Sequence, residues 1–98
     1  MKALLCREYG PPQSLRLEDL PSPQAGEGQV VVSVRAAGVN FPDSLIIQGK
    51  YQYKPALPFA PGAELAGIVQ SVGPGVTRFK PGDAVAAITT FGAFASEI

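Results

Sequence analysis

Two side chains suited to gripping a carbonyl oxygen stand near the middle of the chain. Asn40 carries an amide, with two donors and an acceptor, and Tyr51 carries a phenol that can donate one hydrogen bond. Each residue type also has a structural use. Asn40 directly precedes Phe41-Pro42-Asp43, and an asparagine before a proline-containing helix start is a favoured cap. Tyr51 follows Gly49-Lys50 and fits a half-buried loop aromatic whose hydroxyl reaches solvent. Both uses stay open for both residues. Tyr53 and Phe59 are weaker candidates in the same stretch. Asp43 falls where an acid supports the first turn of a helix, with a contact to a cleft as its secondary use. Glu64 opens an apolar stretch, and if buried there it needs a partner, for which Arg35 is available. A structural role is the favoured one for Glu64.

The donor set also says what chemistry is not expected. There is no histidine and a single cysteine, Cys6, whereas a catalytic zinc takes three protein ligands and a water. No metal site is therefore expected. Cys6 itself lies in an apolar first strand and reads as a small apolar residue. The glycines Gly62, Gly67, Gly73, Gly75 and Gly82 do not open a helix, so they suit turns and close strand contacts rather than a phosphate cradle. No Gly-x-Gly-x-x-Gly follows a strand.

The elements that must position these residues are mostly short strands. Residues 2–6 and 15–20 predict a hairpin around Tyr9-Gly10-Pro11-Pro12, and residues 21–28 a proline-rich loop. Residues 29–36, with Val30, Val31, Val32 and Val34, give the strongest strand. One short helix of about two turns is predicted from Asn40 towards Gly49, where Leu45, Ile46 and Ile47 supply an apolar side. Residues 51–60 form a long loop with three aromatics. Strands follow at 64–72, 83–89 and 92–98, punctuated by Pro-Gly dipeptides of the type II turn kind. The sum is a mainly β chain with one short helix, arranged as a partly open barrel.

Bulk composition removes several partners. Eight basic and eight acidic residues give zero net charge, and the basic ones are scattered, so neither nucleic acid nor an anionic membrane is an expected partner. No apolar run approaches the roughly 20 residues of a spanning helix, and the start Met-Lys-Ala-Leu-Leu-Cys-Arg lacks a signal-peptide core, so the expected place is the cytoplasm. At 98 residues the chain reads as a single domain, able to bury about two-thirds of its unfolded surface.

Three segments in order carry a family resemblance: Gly38-Val39-Asn40-Phe41-Pro42-Asp43, the run Pro61 to Val76 with Glu64, and Phe79-Lys80-Pro81-Gly82-Asp83-Ala84-Val85. Together they resemble the N-terminal, GroES-like domain of the medium-chain dehydrogenase/reductase superfamily, and within it the zinc-independent NADPH:quinone oxidoreductases. In the zinc alcohol dehydrogenases that share the fold, a cysteine ligand stands at the place of Asn40 and a histidine at the place of Ala63; both are absent here.

The resemblance implies a GroES-like substrate-side domain over residues 1–98, a fragment of a two-domain enzyme whose nucleotide-binding domain lies outside this chain. It implies hydride transfer from NADPH to a quinone or an α,β-unsaturated carbonyl, without zinc. Asn40 and Tyr51 would be the catalytic-site residues, and Asn40 and Phe41 the nicotinamide contacts. A cytoplasmic homodimer is expected for the whole enzyme, and catalytic silence for this chain by itself. Two alternatives are a free-standing GroES-like assembly or chaperone-type module and the enoyl-reductase portion of a larger synthase.

Overall fold

The computed structural model describes all residues from Met1 to Ile98. Two antiparallel sheets and one short helix make up the molecule. The first sheet pairs β1 (Lys2–Leu5) with β2 (Arg16–Asp19), with Leu4 opposite Leu17 and one turn of 3₁₀ helix, Pro12–Ser14, between them. The second has the order β3 (Val30–Ala37), β4 (Glu64–Val72), β5 (Ala84–Ile88). The sheets do not close into a full barrel.

Alternation places the core. Along β4, Leu65, Gly67 and Val69 are buried while Glu64, Ala66 and Gln70 face out, the period of two expected of a strand with one covered face. Val32, Leu65 and Ala93 form one buried cluster, with Val85 and Ile98 packed against it. Cys6, Ile46, Ile47 and Phe59 form a second, beneath the helix α1 (Phe41–Ile46). The turn into β5 works as its dipeptide implies: Gly82 takes φ 96°, which the preceding Pro81 cannot supply and a side chain would resist. Gly75 does the same at φ 81° in the turn after β4.

One expected strand takes a different form. Residues 92–98 do not build a continuous ladder; they make single bridges, Ala95 to Ala3 and Glu97 to Ser33. The reason is that this segment divides its hydrogen bonds between the sheets. Leu4 N–H donates to Phe94 O at 2.9 Å and Ser96 N–H to Lys2 O at 2.7 Å, whereas Ile98 exchanges both of its bonds with Val32. The segment is a seam joining β1 to β3, and it holds the two sheets as one body.

Candidate functional site

Asn40 enters the site through the way α1 starts. Its backbone is extended, φ −126° and ψ 162°, and its N–H donates to Asp43 Oδ2 at 2.8 Å. The Asp43 N–H donates back to the Asn40 carbonyl at 3.0 Å. Asn40 and Asp43 thus face each other in a capping-box arrangement, but no side-chain bond from the Asn40 amide completes the cap, and the residue stays exposed. Asp43, only 7% exposed, is spent on holding the loop-to-helix junction. This is the structural use expected of it.

Tyr51 is placed by the other end of the helix. Ile46 and Ile47 anchor α1 on Cys6 and Phe59, and a pair of bonds between Cys6 and Phe59, 2.8 and 3.1 Å, ties that core to the first strand. The chain turns through Gln48 and Gly49, Lys50 N–H bonds Leu45 O at 3.0 Å, and the Tyr51 ring lies partly buried against the same core. Its hydroxyl makes no hydrogen bond within the chain.

Asn40 and Tyr51 line one cavity, of about 350 Å³, together with Pro42, Asp43, Ile46, Ala63, Thr89 and Thr90. Phe41 does not line it; the residue is 76% exposed, as is Val39 at 80%, so that two exposed apolar side chains flank Asn40 in the sequence. Nothing in the chain forms a glycine-rich helix start for a pyrophosphate.

Two lining residues, Thr89 and Thr90, were not among the expected candidates. They follow β5, and the register Glu64 opposite Ile88 carries the chain past Ala63, whose carbonyl accepts from Thr89 N–H at 2.8 Å. Pairing the strands that flank the Pro81-Gly82 turn would have brought residues 89 and 90 to Ala63, so the signal lay in the register.

Other expectations resolve differently. Glu64 is exposed and forms no ion pair with Arg35, which lies in a bulge of β3 between Val34 and Ala36. Its carboxylate instead folds over Gly38, in a larger groove of about 650 Å³ lined by Ala36, Ala66, Ala86 and Ile88. Cys6 is fully buried in the core behind Ile46 and does not line the cavity, with burial first and Glu8 second pushing its thiol above the ordinary value. A thiol held in that state is a poor ligand and a poor nucleophile at neutral pH. No three residues among His, Cys, Asp and Glu stand close enough together to hold a metal ion.

A family model for the alcohol dehydrogenase GroES-like domain matches residues 26–97. A quinone oxidoreductase of Rattus norvegicus is 44% identical over 93 residues, which cover 92% of this chain and 28% of that protein. An alcohol dehydrogenase of Moraxella is 42% identical over 85 residues, 87% of this chain and 25% of that protein. Among solved structures, Escherichia coli quinone oxidoreductase complexed with NADPH superposes with a TM-score of 0.93 at 34% identity, over all of this chain and 30% of that one. The chain therefore spans less than a third of the length of each of these three relatives. By sequence and by fold it belongs to the alcohol dehydrogenase GroES-like domain family of the medium-chain dehydrogenases/reductases, with quinone oxidoreductases as its relatives.

Proposed function

We propose that this chain is the substrate-side domain, residues 1–98, of an NADPH-dependent, zinc-independent reductase of quinones and α,β-unsaturated carbonyls. The observation that carries the reading is that Asn40 and Tyr51, from opposite ends of α1, line a single cavity in which Pro42, Ile46 and Ala63 supply apolar surface beside the polar Asp43, Thr89 and Thr90. A quinone has that shape and chemistry, a flat apolar ring with oxygen acceptors at its edge.

When bound, NADPH supplies the hydride. The chain's own residues orient the acceptor and hydrogen-bond the oxygen on which charge develops. Tyr51 donates from its phenol and Asn40 from its amide; the Tyr51 ring is held by the core beneath it and the Asn40 backbone by its bond to Asp43, so both donors start beside the oxygen on which charge builds. Asn40, with the exposed Phe41 next to it in the sequence, is the contact to the nicotinamide side. Ala63 and Asn40 occupy the places where zinc relatives carry ligands, which supports chemistry without the metal. The reading includes a cytoplasmic homodimer for the whole enzyme and no turnover by these residues alone.

The test is NADPH oxidation by the protein at its full encoded length with a panel of quinones and enones, with and without a strong chelator. Chelator-resistant turnover that falls on Asn40→Ala is expected. Turnover abolished by chelation, or absence of both turnover and NADPH binding, overturns the proposal. The last outcome favours an assembly module.

A further inference from the structure

Thr90 lines the same cavity as the α1 residues but comes from the segment after β5, and the proposed chemistry gives it no task. Its side chain is exposed and makes no hydrogen bond within the chain. Its neighbour differs in this respect. Thr89 Oγ1 donates to Phe91 O at 3.0 Å, so that hydroxyl is used in shaping the loop.

The loop that carries Thr90 is fastened on both sides. The Phe91 ring stacks on Tyr53 at 6.0 Å between centroids and 23° between planes, and meets the buried Phe59 edge-on at 6.0 Å. Gly92 N–H donates to Ala60 O at 2.7 Å, and Thr89 N–H to Ala63 O. Tyr53 thus clasps the loop that follows β5 to the loop that follows Tyr51. The two walls bearing the Tyr51 and Thr90 hydroxyls are held together by this aromatic contact.

We infer that Thr90 is a further ligand-contacting residue, whose hydroxyl binds the second carbonyl oxygen of a quinone while Tyr51 binds the first. The inference rests on the proposed function and sharpens its substrate class. A ring with two carbonyls can use donors from both segments that line the cavity, whereas a mono-carbonyl enone has an acceptor for only one. Pro42, Ile46 and Ala63 between them offer apolar surface to the ring itself. Tyr53 is the positioning residue for Thr90, acting through Phe91.

The experiment compares duroquinone and 2-cyclohexenone as ligands of the protein at its full encoded length, by calorimetric binding and by KM and kcat with NADPH. Thr90→Val removes the hydroxyl at nearly constant shape, and Thr90→Ser retains it. Loss of one neutral hydrogen bond is expected to weaken duroquinone roughly tenfold in Thr90→Val. Cyclohexenone should change less than about twofold, and Thr90→Ser should stay close to the parent. Thr90→Ala serves the same comparison if valine crowds the wall. Tyr53→Ala should reproduce the selective loss for duroquinone, and Tyr53→Phe, which keeps the ring, should restore it. Equal effects on both ligands, or none on either, overturn the role of Thr90 while leaving the reductase intact. Failure of the parent protein to bind either ligand overturns the functional reading, and the role of Thr90 with it.

Discussion

The cavity beside α1 and the groove along β4 and β5 are built on opposite plans. The groove is the larger, about 650 against 350 Å³, yet Glu64 is its only polar side chain and alanines make up half of its lining. Its side chains come from adjacent strands of one sheet and face out together, with Ile88 at 91% exposed. The cavity draws on three separate segments, and polar side chains from two of them, residues 40–51 and 89–90, line it together. Behind its walls stand Ile46, Ile47, Phe59 and the Asp43 junction. Volume alone does not make a site; convergent polar groups on braced backbone do.

The sharpest way to break this contrast is to remove the brace. Ile46→Ala empties a buried position that both packs on Cys6 and lines the cavity, and is expected to cost about 2–5 kcal/mol. Chemical denaturation measures the loss. A cost under 1 kcal/mol would mean that α1 is not seated on this core.

The next effect is at the junction. Asp43→Ala leaves the Asn40 N–H without its acceptor and should cost about 1–3 kcal/mol, while Asp43→Asn, which keeps an acceptor oxygen, should recover most of it. Equal destabilisation by the two variants would point to the charge of Asp43 rather than to its hydrogen bond.

On the groove side the expected change is small. Ala86→Ser alters an outward-facing residue of β5 and should stay within about 0.5 kcal/mol of the parent. A loss well beyond that would show that the β4–β5 face is covered in solution and that the two regions are more alike than their exposure implies.

The contrast between the regions also explains what the sequence made legible. Strand 64–72 was expected at the bounds it has, because period-two burial and a Pro-Gly turn both mark it. The helix start was equally plain from Asn40, Pro42 and Asp43, which act through neighbours three residues apart. Asn40 and Tyr51 could be singled out through the family resemblance of the segments that carry them, since the local setting of each also fits a structural use. Thr89 and Thr90 could not, since their place beside Ala63 in the cavity comes from β4–β5 register rather than from their own neighbourhood. The seam at 92–98 was misjudged for a related reason: its hydrogen bonds go to two partners distant in sequence, and local pattern shows a strand without showing how its bonding is shared. The exposed position of Glu64 follows from strand phase. Residue 64 shares the outward face of Ala66, and no pattern of charge along the chain reveals that Arg35 falls in a bulge.

The weakest effect should be the acid response, and it separates the two regions by location. Three carboxylates are held below their ordinary values, 4.5 for Glu18 and 3.8 for Asp19 and Asp83. The chief cause in each is a side-chain hydrogen bond, from Arg7, Lys2 and Lys80 respectively. A carboxylate lowered in the folded state binds protons more weakly there than when unfolded. Its contribution is complete above the unfolded value and is lost as pH falls through the folded one. Stability should therefore begin to decline near pH 4.5 and continue below 3.8. All three pairs are at the surface, on the β1–β2 hairpin and in the turn before β5, so the decline should be shallow and largely erased by 1 M salt, where screening reaches about 3 Å. Amide exchange followed through the same titration should loosen the hairpin and the 80–83 turn before residues 40–51. Earlier loosening at 40–51 would mean that acid acts first on the junction beneath the cavity, and that the braced region is the more fragile of the two.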